Sequence, residues 1–170
     1  AVPFSGVGWN VRVVTAEAQD AAQAAANGSL NLEAIQPGYF TTFGVRVTLG
    51  RPFDERDRGD APRTAIVSED VASKLWPGQN PIGKRLKMGG LDSKDDWRTV
   101  VGVASRTRYR DLRASQATLY VPDTQLIVTA QSLVVRSTAP LSEVASVVRA
   151  QVSAVDPAAG VSRVSPFDGL

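Results

Sequence analysis

The run Trp76-Pro77-Gly78-Gln79-Asn80-Pro81-Ile82-Gly83-Lys84-Arg85 constrains this chain more than any other stretch, because it nearly spells a phosphate-binding loop. A Walker A loop needs Gly, four residues, then Gly-Lys and a Ser or Thr whose hydroxyl reaches Mg²⁺, with a strand before it and a helix after it. Gly78, Gly83 and Lys84 keep that spacing, but Arg85 stands in the hydroxyl position. Residues 68–76 pattern as a helix and residues 85–88 as a short alternating strand, so the flanking elements are inverted. Pro81 has no amide N–H to offer a phosphate. The stretch therefore reads as a structural turn from helix to strand.

A chain of 170 residues, 43% hydrophobic and 21% charged, suffices for one compact domain or two small lobes. The net charge of +2 is too mild to argue for nucleic acid or an anionic membrane surface. Cys and His are both absent, which removes thiolate chemistry, imidazole bases, Ser-His triads, disulfides and ordinary zinc sites. No stretch approaches the roughly 20 apolar residues that span a bilayer, and the chain as given is expected to be soluble. It starts at Ala1 without Met and stops at Phe167-Asp168-Gly169-Leu170 after an expected strand. Both ends are expected to be cuts in a longer protein, although a processed secreted protein would also lack Met.

Along the chain, residues 10–14 alternate like a strand, and residues 16–27 suit a helix or a flexible link. Leu30, Leu32, Ala34 and Gln36 mark a strand. Pro37-Gly38 turns the chain into a short helix with Tyr39, Phe40 and Phe43, which Gly44 closes. Val45, Val47 and Leu49 alternate with Arg46 and Thr48, which predicts a second strand with one buried face. The loop over residues 54–60 reads as a solvated connection rather than a carboxylate site. Residues 64–67 form a short strand, Ser68 caps the next helix, and Val71, Ala72 and Leu75 line its inner face. Strands follow at 97–104 and 118–121. The last third predicts strand 132–136, helix 141–155 and strand 161–164; Leu141, Val144, Ala145, Val148, Val152 and Val155 share one helix face.

The motifs Pro37-Gly38-Tyr39-Phe40-x-x-Phe43-Gly44, Gly50-Arg51-Pro52-Phe53, Ala65-Ile66-Val67-Ser68-Glu69, Trp76-Pro77-Gly78 with Pro81-Ile82-Gly83-Lys84, Val101-Gly102-Val103 and Val155-Asp156-Pro157 occur in a specific order and spacing. Together they resemble the MacB-type periplasmic core domain of ABC transporter permeases, in the FtsX-like permease superfamily, over residues 30–170. Pro3-Phe4-Ser5-Gly6 adds to the likeness. The resemblance implies an α+β fold: a porter-like lobe of two strand-helix-strand units sharing a sheet, with an inserted strand-rich lobe carrying one helix. The lobes would comprise residues 1–52 plus 123–170, and residues 53–122. It also implies an insertion between two transmembrane helices, so both termini should lie at one end.

The candidate sites are few. Arg106, Arg108 and Arg110 alternate, with Tyr109 between them and Arg113 nearby. They read first as a solvated strand face; the pattern otherwise invites comparison with nucleic-acid surfaces, and the transporter resemblance makes anionic lipid headgroups or an acidic partner the better targets. Tyr39, Phe40 and Phe43 read as core packing, with a substrate-facing aromatic patch as the alternative. Trp76 reads as a helix-end anchor and Trp97 as a strand residue. Asp92, Asp95 and Asp96 lack the regular spacing of a calcium loop, so no metal, cofactor or catalytic residue is assigned.

The function implied by the resemblance is a non-enzymatic periplasmic domain of a bacterial inner-membrane ABC transporter permease, coupling cytoplasmic ATP-driven motion to export or to a periplasmic partner. The implied partners are the parent transporter's transmembrane helices and cytoplasmic ATPase domain, with a second permease copy or a periplasmic adaptor besides, and no nucleic acid. The alternative is a periplasmic small-molecule-binding or sensor module, which a deep closed pocket would favour.

Overall fold

The computed structural model describes residues 9–12, 14–107, 115–126, 132–161 and 164–166, and the chain divides into two units, Ala1–Ser132 and Leu133–Leu170. The first unit runs β1 (Trp9–Val11), β2 (Val14–Ala16), α1 (Ala21–Ala26), β3 (Leu30–Ile35), α2 (Tyr39–Phe43), β4 (Val47–Gly50), β5 (Thr64–Ser68), α3 (Glu69–Leu75), β6 (Arg85–Met88), β7 (Arg98–Ala104) and β8 (Thr118–Pro122). The second contains α4 (Leu141–Val155). The fold is α+β.

Among the described residues the strands form one eight-stranded mixed sheet in the order β1-β3-β8-β5-β7-β6-β2. β7 gives its first residues to β6 and its last to β4 on the same edge. β5 and β8 lie at the centre and are buried along their whole length, because side chains alternate between two covered faces. Ala65, Val67, Leu119 and Val121 face a core with Val71, Leu75 and Trp76 from α3 and its end. Ile66 and Tyr120 face the opposite core with Phe40 of α2 and Phe53.

Several local features follow from short-range chemistry. α1 starts at a capping box: the Asp20 carboxylate accepts from the Gln23 amide at 2.8 Å, and the Gln23 side chain accepts from the Asp20 amide at 2.9 Å. The open reading of residues 16–27 thus resolves into a helix after a tight turn. Gly44 closes α2 in the left-handed region at φ 69°, as a C-terminal glycine should. Ser68 takes the N-cap position of α3, but its hydroxyl accepts from the Thr118 amide at 3.0 Å and ties α3 to β8 instead of capping.

Three strand expectations change. Among the described residues β4 pairs only with β7, and the register shifts between Val47 and Leu49, so strict alternation is lost and Leu49 is exposed. Residues 132–136 join no ladder among the described residues; Leu133 and Val135 are exposed there. Alternation makes a segment suitable for a sheet edge but does not supply the partner backbone. Val161 and Val164 are likewise outside any strand, while Ser162 and Arg163 lie outside the described residues. α4 matches its expected span, and Val144, Ala145, Val148 and Val152 are its better-covered apolar residues.

The expected division at residues 52/53 and 122/123 is not a division between sheets. Along the ladder from β3 to β4 come β8, β5 and β7, all from the segment expected to form an inserted lobe. The placement of both termini at one end concerns residues 1–8 and 167–170, which lie outside the described residues.

Candidate functional site

The turn over residues 76–84 carries Gly78 at φ 69° and Gly83 at φ 83°, conformations open to glycine without a Cβ penalty. α3 precedes it and β6 follows it. Four of its amides are spent internally: Gln79 N donates to Trp76 O at 3.1 Å, Ile82 N to Asn80 Oδ1 at 3.0 Å, Gly83 N to Val100 O at 2.9 Å and Lys84 N to Pro81 O at 3.1 Å. A phosphate cradle needs convergent N–H groups pointing outward, and these point inward.

The same turn forms one wall of an open cleft of about 590 Å³, lined by Glu17, Ala18, Gln19, Gln23, Lys74, Leu75, Trp76, Pro77, Gln79 and Lys84. The opposite wall is the turn from β2 into α1. That turn is held by Asn27, whose Nδ2 donates to Val14 O at 2.6 Å, and by Gln19, whose Oε1 accepts from Ala16 N at 2.9 Å. Ala18 has φ 69°, the sole positive value for a non-glycine among the described residues. Lys74 Nζ donates to Asn27 O at 2.5 Å and bridges the two walls. Arg85 grips both oxygens of Glu17, and that hydrogen bonding holds the Glu17 carboxyl below its ordinary range.

Arg106 is engaged by Asp70, Nε to Oδ1 at 2.7 Å, and Ser115 donates to the same carboxylate at 2.9 Å. These contacts fasten the chain after β7 to the start of α3, which is a structural role for the first arginine of the basic run. Arg108, Tyr109, Arg110 and Arg113 lie outside the described residues. Tyr39, Phe40 and Phe43 cluster with Tyr120, with ring centroids 4.6 to 5.9 Å apart. Phe40 and Tyr120 are buried, and burial pushes the Tyr120 hydroxyl up to about 12. This is core packing.

Trp76 is buried at the end of α3, as expected of an anchor. Trp97 lies just before β7 with Lys87 Nζ 5.3 Å and the Arg85 guanidinium 5.8 Å from its ring centroid. The acidic loop does not converge: Asp95 accepts from Met88 N at 3.1 Å, and Asp96 lies 3.5 Å from Arg63. No cluster of three or more metal-ligating side chains occurs among the described residues.

The buried polar groups went unseen in the sequence. Asp57, 2% exposed, accepts from Arg51 Nη1 at 2.6 Å and Nη2 at 3.0 Å, from Thr64 Oγ1 at 2.9 Å and from Asp54 N at 3.0 Å. Gln125 completes the lock, accepting from Thr64 N at 3.1 Å and donating to Arg58 O at 3.1 Å. The loop over residues 54–60 is thus solvated only in part. Glu33, at the centre of β3, is fully buried and accepts from Asn31 Nδ2 at 3.1 Å. Arg98 is buried too; desolvation lowers its pKa against the pull of Asp95, 3.9 Å away.

The MacB-like periplasmic core domain family matches residues 3–164. The uncharacterized ABC transporter permease YvrN of Bacillus subtilis (strain 168) is 30% identical over 69 residues, covering 41% of this chain and 16% of that protein. The periplasmic region of MacB from Actinobacillus actinomycetemcomitans superposes with a TM-score of 0.61 at 16% identity, over 87% of this chain and 64% of that one. A domain assigned to a permease protein of Porphyromonas gingivalis gives 0.54 at 17% identity, over 90% of this chain and 66% of its own. At these identities the two structures speak for the fold. The chain spans about two thirds of those domains and about a sixth of the curated relative.

Proposed function

The chain belongs to the MacB-like periplasmic core domain family, and from that premise we propose that it is a non-enzymatic relay in an ABC transporter permease. In this reading it passes cytoplasmic ATP-driven motion to export or to a periplasmic partner. Membrane crossing and ATP hydrolysis belong to the parent transporter's own transmembrane helices and ATPase domain, and a second permease copy or a periplasmic adaptor receives the motion. Among the described residues no helix is long and apolar enough to cross a membrane.

One observation supports the relay. The strands from β1 to β8 form a single hydrogen-bonded ladder, so a displacement applied at one edge is carried to the other by a close-packed body of low compressibility. A sensor would call for a deep, closed pocket that buries its ligand; the cleft described above is open, so it offers at most a shallow, weak site and does not make the domain a sensor.

The test uses the complete parent transporter in proteoliposomes, with ATP hydrolysis and substrate movement measured together. Loosening the ladder's support with Asp57→Asn should leave ATP hydrolysis near its original rate while transport per ATP falls. An unchanged ratio, in that variant and in one whose domain is replaced by a flexible Gly-Ser linker, would sink the relay.

A further inference from the structure

We propose that the cleft between the β2–α1 turn and the end of α3 is a binding site for a small organic acid that carries an apolar ring. Its unspent side-chain hydrogen-bonding groups are mostly donors, the Gln79 oxygen being the exception. Lys84 has no side-chain partner among the described residues, Lys74 uses one of its three N–H groups on Asn27 O, and Gln23 spends its oxygen on the helix cap while its Nε2 stays unspent. The one carboxylate lining the cleft, Glu17, is already gripped by Arg85 and also feels the charge of Lys84. The cleft therefore holds an excess of positive charge and donors, which an anionic acceptor complements.

Pro77 and the small uncovered parts of Leu75 and Trp76, 8% and 6% exposed, give it a limited apolar floor. A volume of about 590 Å³ leaves room for a small molecule, which stays partly exposed because the cleft is open. With four amides of the 76–84 turn spent within the protein, the turn is no nucleotide cradle, and recognition falls mainly to side chains. Ala18 adds an independent sign. A left-handed alanine is held against a conformational cost, and such strain concentrates where a fixed backbone serves a site. Here it sets one lip of the cleft.

The proposal stands apart from the relay, because it is tested on the 170-residue chain alone. Two-dimensional amide NMR at low salt is run with 2-naphthoate, its neutral isostere 2-naphthamide, and acetate as probes. Naphthoate should saturate, with shifts gathered on residues 17–23, 74–79 and 84, while naphthamide and acetate bind several-fold more weakly. An ion pair in an open cleft is a modest interaction, so Lys84→Met should weaken naphthoate about threefold to fivefold. Lys84→Arg should recover most of that loss, and salt at about 0.5 M should weaken the complex further. Lys74→Met serves as a second arm, accepted only where amide shifts remote from the cleft are unchanged. Naphthamide binding as well as naphthoate, indifference to the Lys84 variants, or absence of saturation each overturns the proposal.

Discussion

At Asp57 a single carboxylate joins the Arg51 segment, the loop over residues 54–60 and the start of β5, and its grip depends on ionisation. Burial pushes its pKa up, but the hydrogen bonds from Arg51, Asp54 N and Thr64 outweigh that and leave it lowered. A depressed folded-state pKa means the contribution is complete above the unfolded value near 3.8 and drains away as pH falls through the folded one. Urea unfolding followed against pH should show stability dropping below about pH 4, with a shallower drop in Asp57→Asn. Asp57→Ala at neutral pH should cost about 2–4 kcal/mol, below the buried-pair maximum because Arg51 remains partly exposed. At Ala18 the sign reverses. Glycine tolerates its φ of 69° but loses more entropy on folding, so Ala18→Gly should stabilise by up to about 1 kcal/mol in the same assay. The aromatic cluster was legible from spacing, since Tyr39, Phe40 and Phe43 are local. The Asp57 lock was not, because Gln125 reaches it from 68 positions away and only the folded sheet brings them together.

The elements explain why two of the sequence motifs are glycine-centred. Gly50 of β4 and Gly102 of β7 are paired in register, and Arg51 N donates to Val101 O at 3.0 Å beside them. A Cβ on Gly102 would lie 2.4 Å from Arg51 O, and one on Gly50 would lie 2.2 Å from Val101 O. The two backbones approach as closely as they do because neither carries a side chain. Gly102→Ala should therefore cost about 2 kcal/mol or more and should selectively speed amide exchange in β4, which pairs with no strand but β7 among the described residues. Equal protection in both proteins would refute the close-approach account. Much at this scale was readable: α2, α3, α4 and the strands at the centre of the sheet appear where periodicity placed them. α1 carried its own signal in Asp20-Ala21-Ala22-Gln23, a capping box hidden by an alanine-rich composition. The exposed Leu49 was not foreseeable, since a register shift is a property of the pair and not of either strand alone.

For the whole molecule, the family resemblance carried the α+β class and the placement among periplasmic permease domains, while strand order had to come from the structure. Local patterns say which residues make strands and leave open who pairs with whom, because pairing is decided by contacts far apart in sequence. Here β3 lies beside β8 and β4 beside β7, so the first and middle thirds of the chain are interleaved in one sheet. Two deletions turn that topology into a prediction. Removing residues 53–122 would strip β3 of β8, β4 of β7 and β2 of β6, leaving the β1–β3 pair and two unpaired strands with no ladder between them. Short isolated pairs are marginal in water, so this variant should show no cooperative unfolding transition by circular dichroism. Truncation after Ser132 leaves every pairing of the described strands intact. That shorter chain should unfold in one cooperative step in urea, with a slope reduced only in proportion to the surface it no longer buries. A cooperative 53–122 deletion beside a non-cooperative truncation would mean that folding is governed by the terminal segments, and that the interleaved sheet is not the cooperative unit of this domain.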